Sequence, residues 1–160
     1  RSQPPFLSQM VRELYDRQPN TQWLTKSYQA LEKEYTFWQT QRMTASGLNR
    51  YYGTFTVEDE TACCPELCSR FQITPPEDEE TQRSYGRSMY TFAESGWDCN
   101  SRMGLDCYNY AWVDLNALLF GVERDMAFFS AELKNGSEAI WNEKAESRRE
   151  LMTRLLWNYF

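Results

Sequence analysis

Apolar side chains recur at every third or fourth position along most of this 160-residue chain, which is the spacing of one buried face of an α-helix. The first two such stretches cover about residues 6–15 and 24–38, and Pro19-Asn20 interrupts the pattern between them. Asn20 or Thr21 can cap the second helix through a side-chain oxygen. Because so short a turn joins them, the two helices are predicted to lie antiparallel.

Three further helices are predicted later in the chain. Acidic residues 77–80 suit the positive end of a helix dipole, and the helix they begin is expected to reach about Ala93. A strong apolar stripe starts near Val113, Asn135-Gly136 ends it, and Ser137 begins the last helix. No long alternation of apolar and polar residues predicts a large sheet. The chain is therefore predicted to be all-α, a succession of antiparallel helix pairs.

Residues 45–76 interrupt the helical pattern and are predicted to form a long irregular loop. Three prolines in this stretch, Pro65, Pro75 and Pro76, are typical of irregular chain. The aromatic residues before them allow a short hairpin, built on Tyr51, Tyr52, Phe55 and Val57 around Gly53. A loop of about thirty residues is long for a compact domain, and such loops usually have a function or move.

Charge and composition exclude several classes of function. The net charge is −6, and no stripe of lysine and arginine is present, which argues against a nucleic-acid partner. No apolar run reaches the length of a membrane span. Histidine is absent, so the chain contains no histidine-based triad or histidine-ligated metal.

Both ends lie close to amphipathic helical patterns, so residues 1–160 are interpreted as one partial catalytic domain. Compartment and oligomeric state are not predicted.

The five cysteines are interpreted as free, partly buried thiols. Cys64 and Cys68 are four residues apart, but only the distant Cys99 and Cys107 could complete a four-ligand zinc site. No metal and no cofactor are therefore predicted. The odd number of cysteines slightly favours a reducing compartment.

One aspartate is the main candidate for chemistry. Asp98 follows Trp97 and precedes a small polar turn, just beyond a predicted helix. Its carboxyl group can accept hydrogen bonds from nearby backbone N–H groups, or it can act as a general acid. Packing beside an indole removes water and favours the protonated form that a general acid needs. Glycoside cleavage needs a second carboxyl group, and the nearby Glu94 and Asp106 are not convincing partners from sequence alone.

Four short sequence motifs, which occur in a fixed order along the chain, give a more specific indication of fold and function. They are Arg1-Ser2-Gln3-Pro4-Pro5, Leu48-Asn49-Arg50-Tyr51-Tyr52, Glu94-Ser95-Gly96-Trp97-Asp98 and Val113-Asp114-Leu115-Asn116-Ala117. The set resembles the trehalases, inverting glycoside hydrolases of the (α/α)6-barrel type. The resemblance implies that the helix pairs form part of an (α/α)6 toroid and that the substrate is a small carbohydrate, a glucose disaccharide.

The resemblance also implies roles for single residues. Asp98 would be the general acid, and the backbone of Gly96 would line the substrate pocket. The triplet Arg1, Ser2 and Gln3 would contact the sugar, since its side chains offer planar donors and acceptors. A positive charge beside Asp98 would oppose its protonated form, so Arg102 would better serve substrate hydroxyls or a second carboxylate.

Departures from the family pattern limit these assignments. The segment Cys64-Pro65-Glu66 keeps the carboxylate of an expected arginine-proline-glutamate segment, as Glu66, but it lacks the guanidinium. The glutamate that acts as the family's general base has no counterpart in this chain. We therefore expect a trehalose hydrolase that acts with inversion, whose base lies outside this segment and whose isolated segment is inactive. A related α-glucoside hydrolase and a non-catalytic helical sugar-binding module are the alternatives.

Overall fold

A computed structural model describes residues 2–53, 55–102 and 104–157 of the protein. Within these ranges it contains six α-helices and one 3-10 helix at Gly104–Asn109. The α-helices are α1 (Leu7–Arg17), α2 (Thr21–Gln41), α3 (Val57–Phe71), α4 (Glu79–Ser95), α5 (Val113–Leu133) and α6 (Glu138–Leu155). The prediction of an all-α protein is confirmed. Every helix in the described ranges is too short or too polar to cross a lipid bilayer.

The chain forms two compact units. The four-helix unit comprises Pro5–Asn49 and Trp112–Phe160, and it contains α1, α2, α5 and α6. The two-helix unit comprises Arg1–Pro4 and Arg50–Ala111, and it contains α3, α4 and the 3-10 helix. Interpretation of residues 1–160 as one partial catalytic domain stays a prediction.

The helix boundaries of the four-helix unit follow from local chemistry. Asn20 caps α2 as predicted, because its side-chain oxygen accepts a hydrogen bond from the Trp23 N–H at 2.9 Å. Lys134 ends α5 in the left-handed conformation. The core of this unit is apolar and almost inaccessible to solvent, and its largest fully buried members include Leu24, Leu31, Trp38, Leu115, Leu119, Met126 and Phe129.

A buried polar cluster crosses the four-helix unit. Arg148 of α6 donates to Glu123 of α5 and to the side-chain oxygens of Asn49 and Asn116, each at 2.9 Å. The Tyr35 hydroxyl also donates to Glu123, at 2.8 Å. Burial raises the pKa of Glu123, although Arg148 and Tyr35 oppose that shift. Because the partners lie on three helices and on the segment of Asn49, the cluster fixes α2, α5, α6 and Asn49 relative to one another.

The prediction of an irregular loop over residues 45–76 is wrong for much of that range, because α3 occupies its centre. Thr56 and Asp59 form a capping box at the start of α3, and the first turn is acidic. Pro65 lies inside the helix on its exposed side. An interior proline costs about 3 kcal/mol, and burial of the neighbouring Cys64 and Leu67 offsets that cost. The possible hairpin is also wrong, since Val57 is the first residue of α3.

Helices α3 and α4 approach each other closely at Gly86. A Cβ atom at this position would lie 1.7 Å from the backbone oxygen of Glu60, so only glycine allows the approach. The buried Glu60 carboxylate accepts hydrogen bonds from the Nε atoms of Arg83 and Arg87, both at 2.9 Å. Burial tends to raise the pKa of Glu60, but the two arginines outweigh it and lower that pKa. These contacts hold α4 against α3.

Candidate active site

Helix α4 ends at a glycine that the backbone requires. Gly96 has φ +73°, and its N–H donates to the Phe92 carbonyl at 3.1 Å, which closes the last turn. This left-handed conformation is the usual way to end a helix, and glycine adopts it without steric cost. A Cβ atom at Gly96 would meet nothing within 4 Å, so the backbone here faces open space.

The loop after Gly96 exposes Asp98 in an unusual conformation. Asp98 and Cys99 both have positive φ, +43° and +59°, in the left-handed region that aspartate tolerates better than most residues. Asn100 stabilises the loop, because its amide donates to the Trp97 carbonyl at 3.1 Å and its oxygen accepts from the Arg102 N–H at 2.9 Å. The carboxyl group of Asp98 is exposed, which leaves it accessible to a ligand.

Arg102 lies against Trp97 on the same loop. Its guanidinium carbon is 4.2 Å from the centre of the indole ring, within the range of a cation–π interaction. Both side chains are exposed. Arg102 therefore lies on the same exposed loop as Asp98, and its role in substrate binding stays a prediction.

A buried carboxylate joins three distant segments at the end of α4. Glu94 is 6% exposed, and its two oxygens have different partners. The Ser2 hydroxyl donates to Oε1, and the Tyr52 backbone N–H donates to Oε2 at 2.7 Å. The segment at Ser2 and the segment at Tyr52 are thereby held against the turn of α4 that leads to Gly96 and Asp98.

Tyr52 is held from a second side by Arg50. The Arg50 guanidinium lies 4.3 Å from the centre of the Tyr52 ring and donates to the Tyr108 carbonyl at 3.2 Å. The Tyr52 and Tyr108 rings are 6.3 Å apart. The 3-10 helix that contains Tyr108 is joined to α4 by Ser88, whose hydroxyl donates to the Leu105 carbonyl at 2.6 Å. The backbone around Tyr52 is therefore fixed by several contacts within this unit.

The structure supplies a guanidinium beside Glu66. Arg70 lies one turn along α3, and its Nε donates to the Glu66 carboxylate at 2.8 Å on an exposed face. The hydrogen bond to Glu66 raises the pKa of Arg70, and the electrostatic influence of Cys99 and Asp98 adds to that effect. The end of α3 therefore lies within electrostatic range of the Asp98 loop.

The cysteine-rich run of α3 is helical and its thiols are free. The sulfur atoms of Cys64 and Cys68 are 3.8 Å apart in the buried face of the helix. Burial raises the pKa of Cys64, and it raises the pKa of Cys107 to about 12. Across the described ranges, no group of three or more potential metal-ligating side chains comes together.

The predicted site residues fall into three groups. Ser2 is joined through Glu94 to the end of α4, and Gly96, Asp98 and Arg102 follow there within eight residues. Glu66 is on α3, and Gln3 is exposed beside Ser2. Arg1 lies outside the described residues.

Two pairings near the site were not found from the sequence, that of Arg70 with Glu66 and that of Glu94 with its partners. Arg70 could have been found, because its spacing of four from Glu66 is that of a helical ion pair. The partners of Glu94 could not, since Ser2 is 92 residues and Tyr52 is 42 residues away along the chain.

Comparisons with known proteins agree with one another. The family model described as Trehalase matches residues 1–159. The trehalase of Arabidopsis thaliana is 31% identical over 179 residues, which cover 99% of this chain and 28% of that protein. The trehalase of Bombyx mori is 28% identical over 180 residues, which cover 99% of this chain and 30% of that protein.

A solved structure gives the same result for the fold. Neutral trehalase Nth1 from Saccharomyces cerevisiae has a TM-score of 0.76 and is 25% identical, and the match covers 99% of this chain and 36% of that chain. That enzyme is an (α/α)6 barrel, which confirms the helical architecture predicted from the sequence. The chain spans less than a third of the length of the curated relatives that it matches.

Proposed function

The chain belongs to the trehalase family, and we propose that it acts in the hydrolysis of trehalose to glucose, with Asp98 as the general acid. The observation that carries this proposal is the match of the whole chain to proteins named as trehalases. The geometry at the end of α4 supports it, because an exposed carboxyl group follows directly after an open glycine backbone.

The reaction needs a proton donor and a water-activating base on opposite sides of the glycosidic bond. Asp98 gives its proton to the bridging oxygen as the bond from that oxygen to the anomeric carbon breaks. The base removes a proton from water, whose oxygen bonds to the anomeric carbon from the opposite face, so the configuration inverts. Asp98 then takes a proton from solvent and the base returns its proton to solvent, so both groups regain their starting states.

The base is proposed to lie outside this chain. Glu94 is the nearest carboxylate to Asp98 in sequence on the helix side, but it is buried and each of its oxygens accepts a hydrogen bond from the protein. Asp106 is exposed on the 3-10 helix, where it accepts from the Asn109 amide at 2.6 Å. Glu94 therefore has no free side from which to hold a water molecule against a sugar carbon, and one oxygen of Asp106 is already bonded within its own segment.

Substrate binding is proposed for the exposed donors and acceptors around Asp98. Arg102 is held over Trp97 on the Asp98 loop, where it can donate to sugar hydroxyls. The Gly96 backbone can approach the sugar closely because no side chain intervenes. The triplet that contains Ser2 and the carboxylate of Glu66 complete the proposed set, which is Arg1, Ser2, Gln3, Glu66, Gly96 and Arg102.

A related α-glucoside hydrolase is the second candidate, and one observation favours it. Cys64 stands before Pro65-Glu66 where the family resemblance leads us to expect an arginine, so recognition of the second glucose unit can differ. A sugar-binding module without catalysis is the alternative of a different class, and it predicts tight binding with no turnover.

A panel of glucose disaccharides separates these candidates. The natural protein that contains this chain is incubated with trehalose, maltose and isomaltose, and glucose release is measured. We expect kcat/KM for trehalose to exceed the others by at least about 100-fold, since a site built for one linkage leaves polar groups unpaired with another. A preference for maltose or isomaltose would support the second candidate, and binding of trehalose without glucose release would support the non-catalytic module.

The configuration of the product tests the inverting step in the same reaction. Proton NMR during the first minutes should show equal amounts of α- and β-glucose, because the attacked glucose unit inverts and the leaving unit does not. Initial formation of α-glucose alone would contradict inversion.

A further inference from the structure

We propose that Glu94 is a positioning residue, whose carboxylate holds the Ser2 segment and the Tyr52 backbone in register with the Asp98 loop. The inference deepens the proposed function and rests on it. It assigns Glu94 no contact with the substrate, since its effect on the sugar passes through the segments that it holds.

The placement of Glu94 in the last turn of α4 carries the argument. Its side chain is 6% exposed, and its two oxygens bond separately to Ser2 and to the Tyr52 N–H. Gly96 and Asp98 follow it by two and four residues. One rigid helix end therefore sets the positions of three segments that the chain brings together from residues 2, 52 and 98.

The chemistry of the carboxylate suits this role. Hydrogen bonds to a charged acceptor are shorter and about twice as strong as neutral ones. The Tyr52 N–H lies in a part-buried contact outside the helices and also needs an acceptor, which the Glu94 carboxylate supplies. Loss of the carboxylate therefore releases Tyr52 and Ser2 together.

Loss of the Glu94 contacts should affect substrate binding more than proton transfer. In sequence, Ser2 lies between Arg1 and Gln3, which are proposed to contact the sugar. The proton is given by Asp98, which follows Glu94 by four residues. Displacement of the Ser2 segment therefore weakens the hold on substrate and leaves the acid in place. We expect the effect to fall mainly on KM.

The experiment uses Glu94→Ala in the natural protein, with Glu60→Ala as the matched control. Alanine is used because glutamine would keep an oxygen that can accept from the Tyr52 N–H. Both substitutions remove a buried carboxylate of the two-helix unit, but Glu60 is bonded to Arg83 and Arg87 instead of to the Ser2 and Tyr52 segments. Glu94→Ala should lower kcat/KM for trehalose about 10- to 100-fold, as expected for loss of a hydrogen bond to a charged group, mainly through KM. Glu60→Ala should lower thermal stability without raising KM.

Hydrogen exchange of the Tyr52 amide gives a readout that needs no catalysis. In Glu94→Ala the amide should lose protection while α4 retains it, and in Glu60→Ala the amide should stay protected. Persistent protection of Tyr52 in a folded Glu94→Ala protein would overturn the inference, as would an equal rise of KM in Glu60→Ala. If the unsubstituted protein does not hydrolyse trehalose, the proposed function fails, and the exchange measurement still decides whether Glu94 holds the segment.

Ser2→Ala supplies a second variant, which leaves Glu94 in place and can be measured even if Glu94→Ala does not fold. It removes only the hydroxyl that donates to Glu94, so Tyr52 should stay protected while KM for trehalose rises. Where Glu94→Ala also folds, the losses in kcat/KM in the double variant should be less than additive, because both changes break the same contact. An unchanged KM in Ser2→Ala, or full additivity in the double variant, would contradict the role of Glu94.

Discussion

Gly96 shows how a single residue shapes the candidate site. Its φ of +73° ends α4, and Asp98 and Cys99 continue the chain with positive φ values of their own. Three left-handed residues within four positions turn the chain sharply, so that Asp98 projects beyond the helix with its carboxyl group exposed. The glycine is needed for its backbone conformation, since a Cβ atom there has open space around it.

Substitution of Gly96 tests this explanation through stability. Gly96→Ala should lower the free energy of unfolding by about 1 kcal/mol, because alanine is strained at positive φ. Gly96→Asn should cost less, since asparagine tolerates the left-handed conformation. Urea denaturation of the natural protein and both variants measures the difference. Equal stabilities for alanine and glycine would show that this conformation is not required.

For single residues, the sequence predicts which side chains belong to the candidate site better than it predicts what those side chains contact. Asp98 and Arg102 can be singled out from their order along the chain, and the structure places both on one exposed loop. The sequence favours Asp98 as the partner of Trp97, but the structure places Arg102 over the indole. Which of two nearby polar groups packs on a ring depends on loop dihedral angles, which side-chain spacing does not encode.

At the scale of elements, α3 and α4 pack at a distance that only glycine permits. Gly86 lies against the Glu60 backbone, and the Glu60 carboxylate is paired with Arg83 and Arg87 from the facing helix. The contact sets the distance between α3 and α4.

Gly86→Ala should therefore disrupt the two-helix unit. A Cβ atom 1.7 Å from a backbone oxygen forces the helices apart, and overpacking of this kind typically costs about 1–3 kcal/mol or more. Gly121→Ala in α5 is the control, because its Cβ atom would meet only the end of the Gln9 side chain at 3.7 Å. That control should be neutral or slightly stabilising, since alanine favours a helix. Similar melting temperatures for the two variants would contradict the close approach.

Helix α3 also shows where sequence reasoning fails among the elements. The starts of α2, α4 and α5 follow from capping residues and apolar spacing, which are local signals. Pro65 and the aromatic residues before α3 favour irregular chain, whereas burial of Cys64, Leu67 and Cys68 favours a helix. That burial depends on contact with a distant segment, so tertiary packing overrides the local signal.

At the scale of the whole molecule, the family and the helical architecture could be predicted because they depend on ordered blocks and on periodicity. The pairings that join those blocks could not. Asn49 bonds to Asn116 across 67 residues and to Arg148 across 99, and Ser2 bonds to Glu94 across 92. No regular spacing along the sequence predicts such long-range pairs. In both units they join the segments that carry the matched blocks.

The central claim is that Asp98 gives the proton in trehalose hydrolysis, and glucose release by Asp98→Asn tests it most directly. Asparagine keeps the shape of the side chain but carries no transferable proton. We expect kcat for trehalose in the natural protein to fall about 10²- to 10⁴-fold, with the circular dichroism spectrum unchanged.

Asp106→Asn is the matched control for that measurement, since it removes an exposed loop carboxylate of the same unit whose partner is Asn109. Its kcat should stay within about twofold of the unsubstituted value, as expected for a surface change. Glucose release by folded Asp98→Asn at nearly the unsubstituted rate, or an equal loss in Asp106→Asn, would contradict the assignment of Asp98 as the acid.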